Sequence, residues 1–174
     1  MFEDCEVPAE NVLGQVGGGV NVLMSGLDYE RAVLSAGPLG IMQACLDVVL
    51  PYVREREQFG RPIGTFQALR HRIADLAIEV ECSRLITYDI AARVDAGRGA
   101  PGELAGLTSM AKVKVTETAK QVALEGMQMM GGYGYATEYD MEKHVRVALA
   151  PPIYAGTNEI QREIIASSLG LRDR

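Results

Sequence analysis

The sequence predicts an all-α fold, an antiparallel four-helix bundle preceded by a short extended segment. Apolar residues recur at helical spacing along three long segments of the 174-residue chain. Loops rich in glycine and proline separate these segments, and a shorter segment with a polar cap follows them. Long amphipathic helices joined by brief loops pack as antiparallel neighbours. We therefore expect one bundle over residues 20–174, with residues 1–19 as a separate extended segment and linker.

Residue types that break or cap helices set the ends of each predicted helix. Pro38 and Pro51 lie within the first helical segment, where we expect a kink or a short break. Glycines within residues 131–134 stop the third helix. Asn158 is the expected N-cap of the last helix, and Gln161 would complete a capping box. The predicted helices cover residues 20–56, 65–95 and 103–130, and a shorter one begins near 158.

Composition argues against several classes of function. Lys plus Arg is 17 and Asp plus Glu is 23, and the net charge of −6 argues against non-specific nucleic-acid binding. Cys5, Cys45 and Cys82 are widely spaced, which predicts reduced, core-type thiols and neither a disulfide framework nor a metal site. The chain has no run of about 18 uninterrupted apolar residues, so we expect no membrane span. The acidic N-terminus predicts no targeting segment.

Glu30 is the most informative single residue. Its helical neighbours three and four positions away include Leu27 and Leu34, and none of them is a cation. The pattern therefore places Glu30 on an inward-facing apolar stripe that also contains Leu23. A carboxylate facing a core without a partner is costly to ionise, and catalytic bases are often found in such surroundings. The alternative is that this part of the helix is partly exposed and Glu30 simply reaches water.

Two other segments could bind a ligand. Arg54, Arg56 and Arg61 bracket a loop at residues 58–60, and guanidinium groups suit phosphates, although arginines at a helix end are also common on surfaces. The glycine-rich residues 131–135 could present backbone to a flat or phosphorylated ligand, or could only end a helix.

Five stretches in order along the chain carry a family resemblance: FEDCEVPAENVLG at 2–14, LDYER at 27–31, REQFGRPI at 56–63 followed by FQ at 66–67, QMMGGYGY at 128–135 and IYAGTNEIQR at 153–162. Together they resemble the acyl-CoA dehydrogenase family, closest to its isovaleryl-CoA dehydrogenase branch. By this resemblance, residues 1–19 match the end of the family's middle β-domain and the linker that follows. Residues 20–174 match its C-terminal helical domain.

The resemblance implies an enzyme that oxidises a short or branched acyl-CoA, such as isovaleryl-CoA in leucine catabolism, to the trans-2-enoyl-CoA with FAD. In most members the base is a glutamate at the position of Ala155, which has no side chain able to accept a proton. The isovaleryl-CoA and long-chain branches place their base on the first long helix, at the position of Glu30. The implied acyl-CoA contacts are Asp28, Tyr29, Glu30, Arg31, Ala155 and Gly156.

The resemblance also implies the residues that bind FAD. An arginine at the position of Arg56 holds the pyrophosphate, and residues 128–132 contact the adenine-nucleotide end from a neighbouring subunit. The start of the last helix offers backbone N–H groups, as helix N-termini do to anions. The implied FAD contacts are Arg56, Gln58, Phe59, Gln67, Gln128, Met129, Met130, Gly131, Gly132, Thr157, Asn158 and Glu159.

Partners and setting follow from the same resemblance. The family uses electron-transfer flavoprotein as its acceptor and forms homo-oligomers, as tetramers or dimers of dimers, in the bacterial cytoplasm or the mitochondrial matrix. Most of the family's other two domains have no counterpart here, so we expect a truncated piece of a longer protein. The alternatives are a non-catalytic helical oligomerisation or binding module of the same fold, and a relative that acts on a substrate other than acyl-CoA.

Overall fold

The computed structural model describes residues 2–97 and 101–171, apart from the side chains of Asp28, Pro101 and Gly102. Helices dominate these residues, as predicted, and a two-stranded antiparallel hairpin of β1 (Glu57–Gln58) and β2 (Arg61–Pro62) joins two of them. The helices are α1 (Gly19–Leu34), α2 (Ala36–Glu55), α3 (Gln67–Asp95), α4 (Pro101–Met130), α5 (Gly132–Tyr135), α6 (Met141–Ala148) and α7 (Asn158–Ser168).

The break expected in the first helical segment is confirmed at Ser35, between α1 and α2. Pro38 explains its position, because the proline ring cannot donate to the carbonyl of Leu34 and clashes with it. Ser35 is buried and its hydroxyl donates to the carbonyl of Arg31 at 3.3 Å. Pro51 lies inside α2 without ending it.

The core lies around α4, which contacts α1, α2, α3, α5, α6 and α7. Cys45 belongs to the core, and burial raises the pKa of its thiol to about 12, so the prediction of a core-type thiol is correct there. Cys5 and Cys82 are exposed, so that prediction is wrong for them. The main core includes Met42, Val49 and Val53 of α2, Leu76 and Val80 of α3, Val115, Ala119 and Val122 of α4, and Met141 of α6.

The eight-residue helix α6 was absent from the prediction. Met141 and Ala148 are its buried residues, and Val145 packs against the same core. These three positions have helical spacing, but a segment this short, which follows a glycine-rich turn, gives only a weak periodic signal. The residue before it, Asp140, is left-handed with φ 56°. α6 completes the core at the end of α4.

The inward-facing stripe predicted for α1 is wrong. Glu30 is exposed, as are Leu23 at 61% and Val33 at 55%. The side chains that α1 buries are those of Arg31 and Ala32, followed by its C-cap Ser35, because this face packs against α3 and α4. Leu27 and Leu34 of the predicted stripe are half-buried, so only part of the stripe lies on the outer face of the described bundle.

The α1–α2 segment is long and apolar enough to cross a membrane when judged by length and composition alone. This test is met within residues 19–55, where the most apolar 18-residue window has a mean hydropathy of 1.7 and is 39% buried within the fold. The buried face of α2 supplies much of the main core, as a core helix of a globular protein does.

Residues 2–18 lie outside the bundle. They are almost entirely exposed, and their regular structure is one 3₁₀ turn at Ala9–Asn11. The division of the chain near residue 19 remains a prediction.

Candidate functional site

The loop before α7 adopts an unusual backbone conformation. Ala155 and Gly156 are consecutive left-handed residues, with φ 54° and 86°. The left-handed conformation costs a residue with a Cβ about 1–2 kcal/mol. A Cβ at Gly156 would lie 2.8 Å from Nε2 of Gln161, so this position has no room for a side chain. Backbone strain of this kind persists only where surrounding contacts hold it.

Buried side chains from three helices hold this loop by its carbonyl groups. The carbonyl of Ala155 accepts hydrogen bonds from Nε of Arg31 in α1 and from Nε2 of Gln161 in α7, each at 3.4 Å. The carbonyl of Gly156 accepts from Nζ of Lys112 in α4 at 3.0 Å and from Gln161 at 3.1 Å. Arg31, Lys112 and Gln161 are all buried. The loop is therefore fixed from inside the bundle.

Lys112 also connects the loop to the start of α7. Its Nζ donates to Oδ1 of Asn158 at 2.8 Å, and Nδ2 of Asn158 donates to Oγ1 of Thr116 at 3.1 Å. Burial, and to a lesser extent the nearby guanidinium of Arg31, lower the pKa of Lys112 to about 8, although Glu159 and Glu117 oppose the shift.

The prediction that Asn158 is the N-cap of α7 is wrong. Thr157 is the N-cap, and its hydroxyl accepts the N–H of Ile160 at 3.4 Å. The side chains of Asn158 and Gln161 point into the buried cluster instead, where Ser109 donates to Oε1 of Gln161 at 3.0 Å. Sequence reasoning missed Ser109 and Lys112. A lysine on the α4 face that also carries Thr108, Val115 and Ala119 was the available signal.

The outward side of the loop carries unpaired donors. In a trans peptide the N–H points opposite to the carbonyl, and the described chain contains no cis bond. The carbonyls of Ala155 and Gly156 point into the cluster, so the N–H groups of Gly156 and Thr157 point away from it. In the described residues neither N–H has an acceptor. Two such donors suit an anion or a polarised carbonyl oxygen.

The predicted acyl-CoA contacts lie around this loop to different degrees. Arg31 contacts Ala155 directly. Glu30 is the neighbour of Arg31 on α1 and is exposed, as is Tyr29 at 63%. The side chain of Asp28 lies outside the described residues.

A second group of predicted residues lines one cavity of about 610 Å³. Arg56 meets the glycine-rich strip there, and its guanidinium lies 5.3 Å from the centre of the Tyr133 ring. The hydroxyl of Tyr52 donates to the carbonyl of Met130 at 3.2 Å. The cavity is lined by Tyr52, Arg56, Gln58, Ile63, Gln128, Met129, Met130, Gly131, Gly132, Tyr133 and Ala136.

Five predicted FAD contacts do not line this cavity. Thr157, Asn158 and Glu159 lie at the start of α7, and the other two lie on or after the β1–β2 hairpin. Phe59 is 92% exposed at the tip of the β1–β2 hairpin, with φ 55°, and its ring packs edge-on against Phe66. Gln67 is exposed at the first position of α3. The structure therefore brings Arg56 and Gln58 to residues 128–132, and leaves Phe59 and Gln67 at the rim of the hairpin and the helix start.

The loop and the cavity are far apart in one chain. Lys112 contacts the loop and Gln128 lines the cavity, and both lie on the continuous helix α4, sixteen residues apart. At about 1.5 Å per residue, this separation is roughly 24 Å along the helix axis. The two groups of residues form two distinct surfaces of the domain.

The chain is similar to known proteins over nearly its whole length. Residues 17–170 match the family model for the acyl-CoA dehydrogenase C-terminal domain. The chain is 53% identical over 169 residues to a mitochondrial isovaleryl-CoA dehydrogenase of Solanum tuberosum, and 51% identical to a mitochondrial 2-methylacyl-CoA dehydrogenase of the same plant. Each match covers 97% of this chain and 40% of the relative, so the chain spans about two fifths of their length.

Solved structures show the same fold. An acyl-CoA dehydrogenase from Geobacillus kaustophilus superposes with a TM-score of 0.91 at 37% identity, over 97% of this chain and 43% of that one. The FAD complex of PigA superposes with a TM-score of 0.91 at 32% identity, over 99% of this chain and 44% of that one. The family-model match and the identity to these relatives place the chain in the acyl-CoA dehydrogenase family, as its C-terminal helical domain.

Proposed function

We propose that this chain is the base-carrying domain of an FAD-dependent acyl-CoA dehydrogenase that acts on a short, branched acyl-CoA. The contact between Nε of Arg31 and the carbonyl of Ala155 is the observation that carries the proposal. It joins α1 to the loop at the position where most of the family has its base. Glu30, adjacent to Arg31, thus lies on the helix that borders this loop, where the isovaleryl-CoA branch has its glutamate.

The chemistry needs a polarised thioester and a nearby carboxylate. The N–H groups of the loop would donate hydrogen bonds to the thioester oxygen, which acidifies the α-carbon of the substrate. The carboxylate of Glu30 would then remove the α-proton. FAD, when bound, supplies the acceptor for the hydride that leaves the β-carbon.

The residues around the cavity fit the adenine-nucleotide half of FAD. Arg56 offers a guanidinium for a pyrophosphate, and the glycines at 131 and 132 allow close backbone approach. The loop and the start of α7 offer N–H donors roughly 24 Å away along α4. We propose that one FAD uses the cavity of one copy and the loop of a second copy, within a homo-oligomer that passes electrons to electron-transfer flavoprotein.

The carboxylate of Glu30 must be shielded from water for this chemistry, and it is exposed in the described bundle. Its exposure, together with that of Leu23 and Val33, leaves an apolar face of α1 in contact with solvent. We propose that a part of the protein corresponding to the relatives' additional length packs on this face. Such packing would exclude water from the carboxylate and the α-carbon.

The two relatives named above differ in acyl group, so identity to them leaves the branch position open. We expect isovaleryl-CoA, added without oxygen, to bleach the flavin absorbance of the full-length protein faster than 2-methylbutyryl-CoA or octanoyl-CoA. Bleaching by 2-methylbutyryl-CoA first would move the assignment to the 2-methylacyl class. Bound FAD that no acyl-CoA reduces would contradict the proposed function.

Replacing Arg56 by alanine is expected to weaken FAD binding by about ten- to a hundredfold, because the variant loses a charge-assisted contact to the pyrophosphate. Flavin content after gel filtration and a fluorescence titration with FAD measure this effect. Arg54→Ala is the matched control, since Arg54 is exposed in the last turn of α2, two residues before Arg56, and does not line the cavity. Wild-type flavin affinity combined with weaker acyl-CoA binding would show that Arg56 has been misassigned.

A further inference from the structure

Lys112 is a fully buried lysine that the proposed chemistry does not use. Its relative exposure is 0%, and its ammonium donates to two neutral oxygens, the Gly156 carbonyl and Oδ1 of Asn158. In the described part of the chain it forms no ion pair with a carboxylate. Nearly every buried lysine has a charged partner, so this arrangement calls for a physical reason.

Stability is a poor explanation for Lys112. Removing an ammonium from water is costly, and exchanging a buried charge for an apolar side chain of similar volume is often neutral or stabilising. The groups that Lys112 contacts would still have other hydrogen-bond partners after such an exchange. The Gly156 carbonyl keeps its bond from Gln161, and Asn158 keeps its contact with Thr116. A methionine could therefore fill the site at little cost to the fold.

The position of Lys112 relative to the loop indicates a different role. Its ammonium holds the carbonyl of the peptide that joins Gly156 to Thr157, and the N–H of that same peptide points to the opposite, outward side. A hydrogen bond to the carbonyl polarises the peptide and strengthens its N–H as a donor. Arg31 acts in the same way on the peptide before it, through the carbonyl of Ala155.

We propose that Lys112 is a positioning residue for dehydrogenation, which holds and polarises the Gly156–Thr157 peptide from behind so that the outward N–H groups meet the substrate or flavin. This inference rests on the proposed function of the loop. Lys112 touches neither reacting group and acts through the backbone. It also maintains the left-handed conformation of Ala155 and Gly156, together with Arg31 and Gln161.

The role of Lys112 predicts a specific pH dependence. The charged groups that face it are Arg31 on α1, Glu117 on α4 and Glu159 on α7, and burial together with these charges lowers its pKa to about 8. Above that pH the neutral amine still donates, but without charge assistance each bond is roughly half as strong. Turnover should therefore fall as the pH rises through about 8.

The test compares Lys112→Met with Lys114→Met in the full-length flavoprotein. Lys114 lies two positions along the same helix and pairs with Glu79 of α3, away from the loop. We expect Lys112→Met to keep or raise Tm, and to lower kcat per bound flavin by roughly 10- to 100-fold, with a smaller change in KM, because small misplacements at a reacting centre have effects of this size. The fall in turnover above about pH 8 that is expected for the wild type should be absent from Lys112→Met. Lys114→Met should behave as wild type.

Lys112→Gln provides a second variant if the methionine variant does not fold. It keeps an N–H donor but cannot ionise, so it should retain part of the turnover and lack the fall above about pH 8. Wild-type kcat and an unchanged pH profile in either folded variant would overturn the proposal and show that Lys112 has only a structural role. Failure of the proposed function is a separate result, since it would be seen in the wild type as flavin that acyl-CoA does not reduce.

Discussion

Replacing Glu30 by glutamine in the full-length flavoprotein is expected to lower the rate of flavin reduction by isovaleryl-CoA by roughly a hundred- to ten-thousandfold. The amide has nearly the same size as the carboxylate and cannot accept the α-proton. Acyl-CoA and FAD should still bind, because Arg31, the loop carbonyls and Arg56 are unchanged. Stopped-flow measurement of flavin absorbance without oxygen gives the rate directly.

The control for this variant is Glu81→Gln, which changes an exposed glutamate of α3 that pairs with Arg84 on the same helix. It should reduce its flavin at the wild-type rate. Retention of most of the wild-type rate by Glu30→Gln would refute the assignment of the base.

A double variant that moves the carboxylate from position 30 to position 155 provides a second test of the proposed base. Combining Glu30→Gly with Ala155→Glu should restore part of the lost rate, since the family uses both positions. Ala155 already carries a Cβ at φ 54°, so a glutamate there adds no new backbone strain. No recovery in a folded double variant that binds flavin would show that position 155 does not reach the α-carbon in this protein.

The 174-residue chain by itself is expected to fold but to show no dehydrogenase activity. Its main core is built from α2, α3, α4 and α6, and the loop is held by side chains of α1, α4 and α7, so the core and the loop form without a further domain. We expect a cooperative thermal transition by circular dichroism. Glu30 is exposed in the described bundle, so its carboxylate is not held in position against a substrate. Catalysis requires alignment of such groups to within about 0.5 Å.

Flavin content and acceptor reduction measure this second prediction. The purified chain should hold little FAD and should not reduce an artificial electron acceptor with isovaleryl-CoA. The full-length protein should hold FAD and should reduce the acceptor. Light scattering should show an oligomer, because apolar residues such as Ile78 and Leu85 of α3 stay exposed in the single chain. Measurable turnover by the chain alone would show that cover over α1 is dispensable, and a monomer at all concentrations would contradict the oligomer.

Local sequence patterns predicted the helices well, for a physical reason that holds residue by residue. Proline and glycine restrict the backbone wherever they occur, so Pro38 located the break between α1 and α2, and Gly131 located the end of α4. The family motifs added the ligand residues, since short stretches such as residues 56–63 and 128–132 keep their order along the chain. The structure then placed these two stretches at one cavity.

Periodicity failed where the burial of a face depended on other helices. The leucines of α1 share a face, as predicted, but α3 and α4 pack on the side of Arg31 and Ala32, which leaves Glu30 and Leu23 outside. The cap of α7 failed for a related reason. Asn158 has a side chain suited to capping, but the buried ammonium of Lys112 offers it a stronger partner, and Thr157 caps the helix instead.

The sequence by itself determined the helical fold class, most helix boundaries and the family to which the chain is similar, because these depend on local backbone preferences and on contiguous motifs. Only the tertiary structure decided which face of α1 is buried, and that Lys112, Arg31 and Gln161 meet at the carbonyls of Ala155 and Gly156. These residues are up to 130 positions apart. A buried charge is stabilised by the oxygens that packing brings to it, and no local pattern specifies those partners.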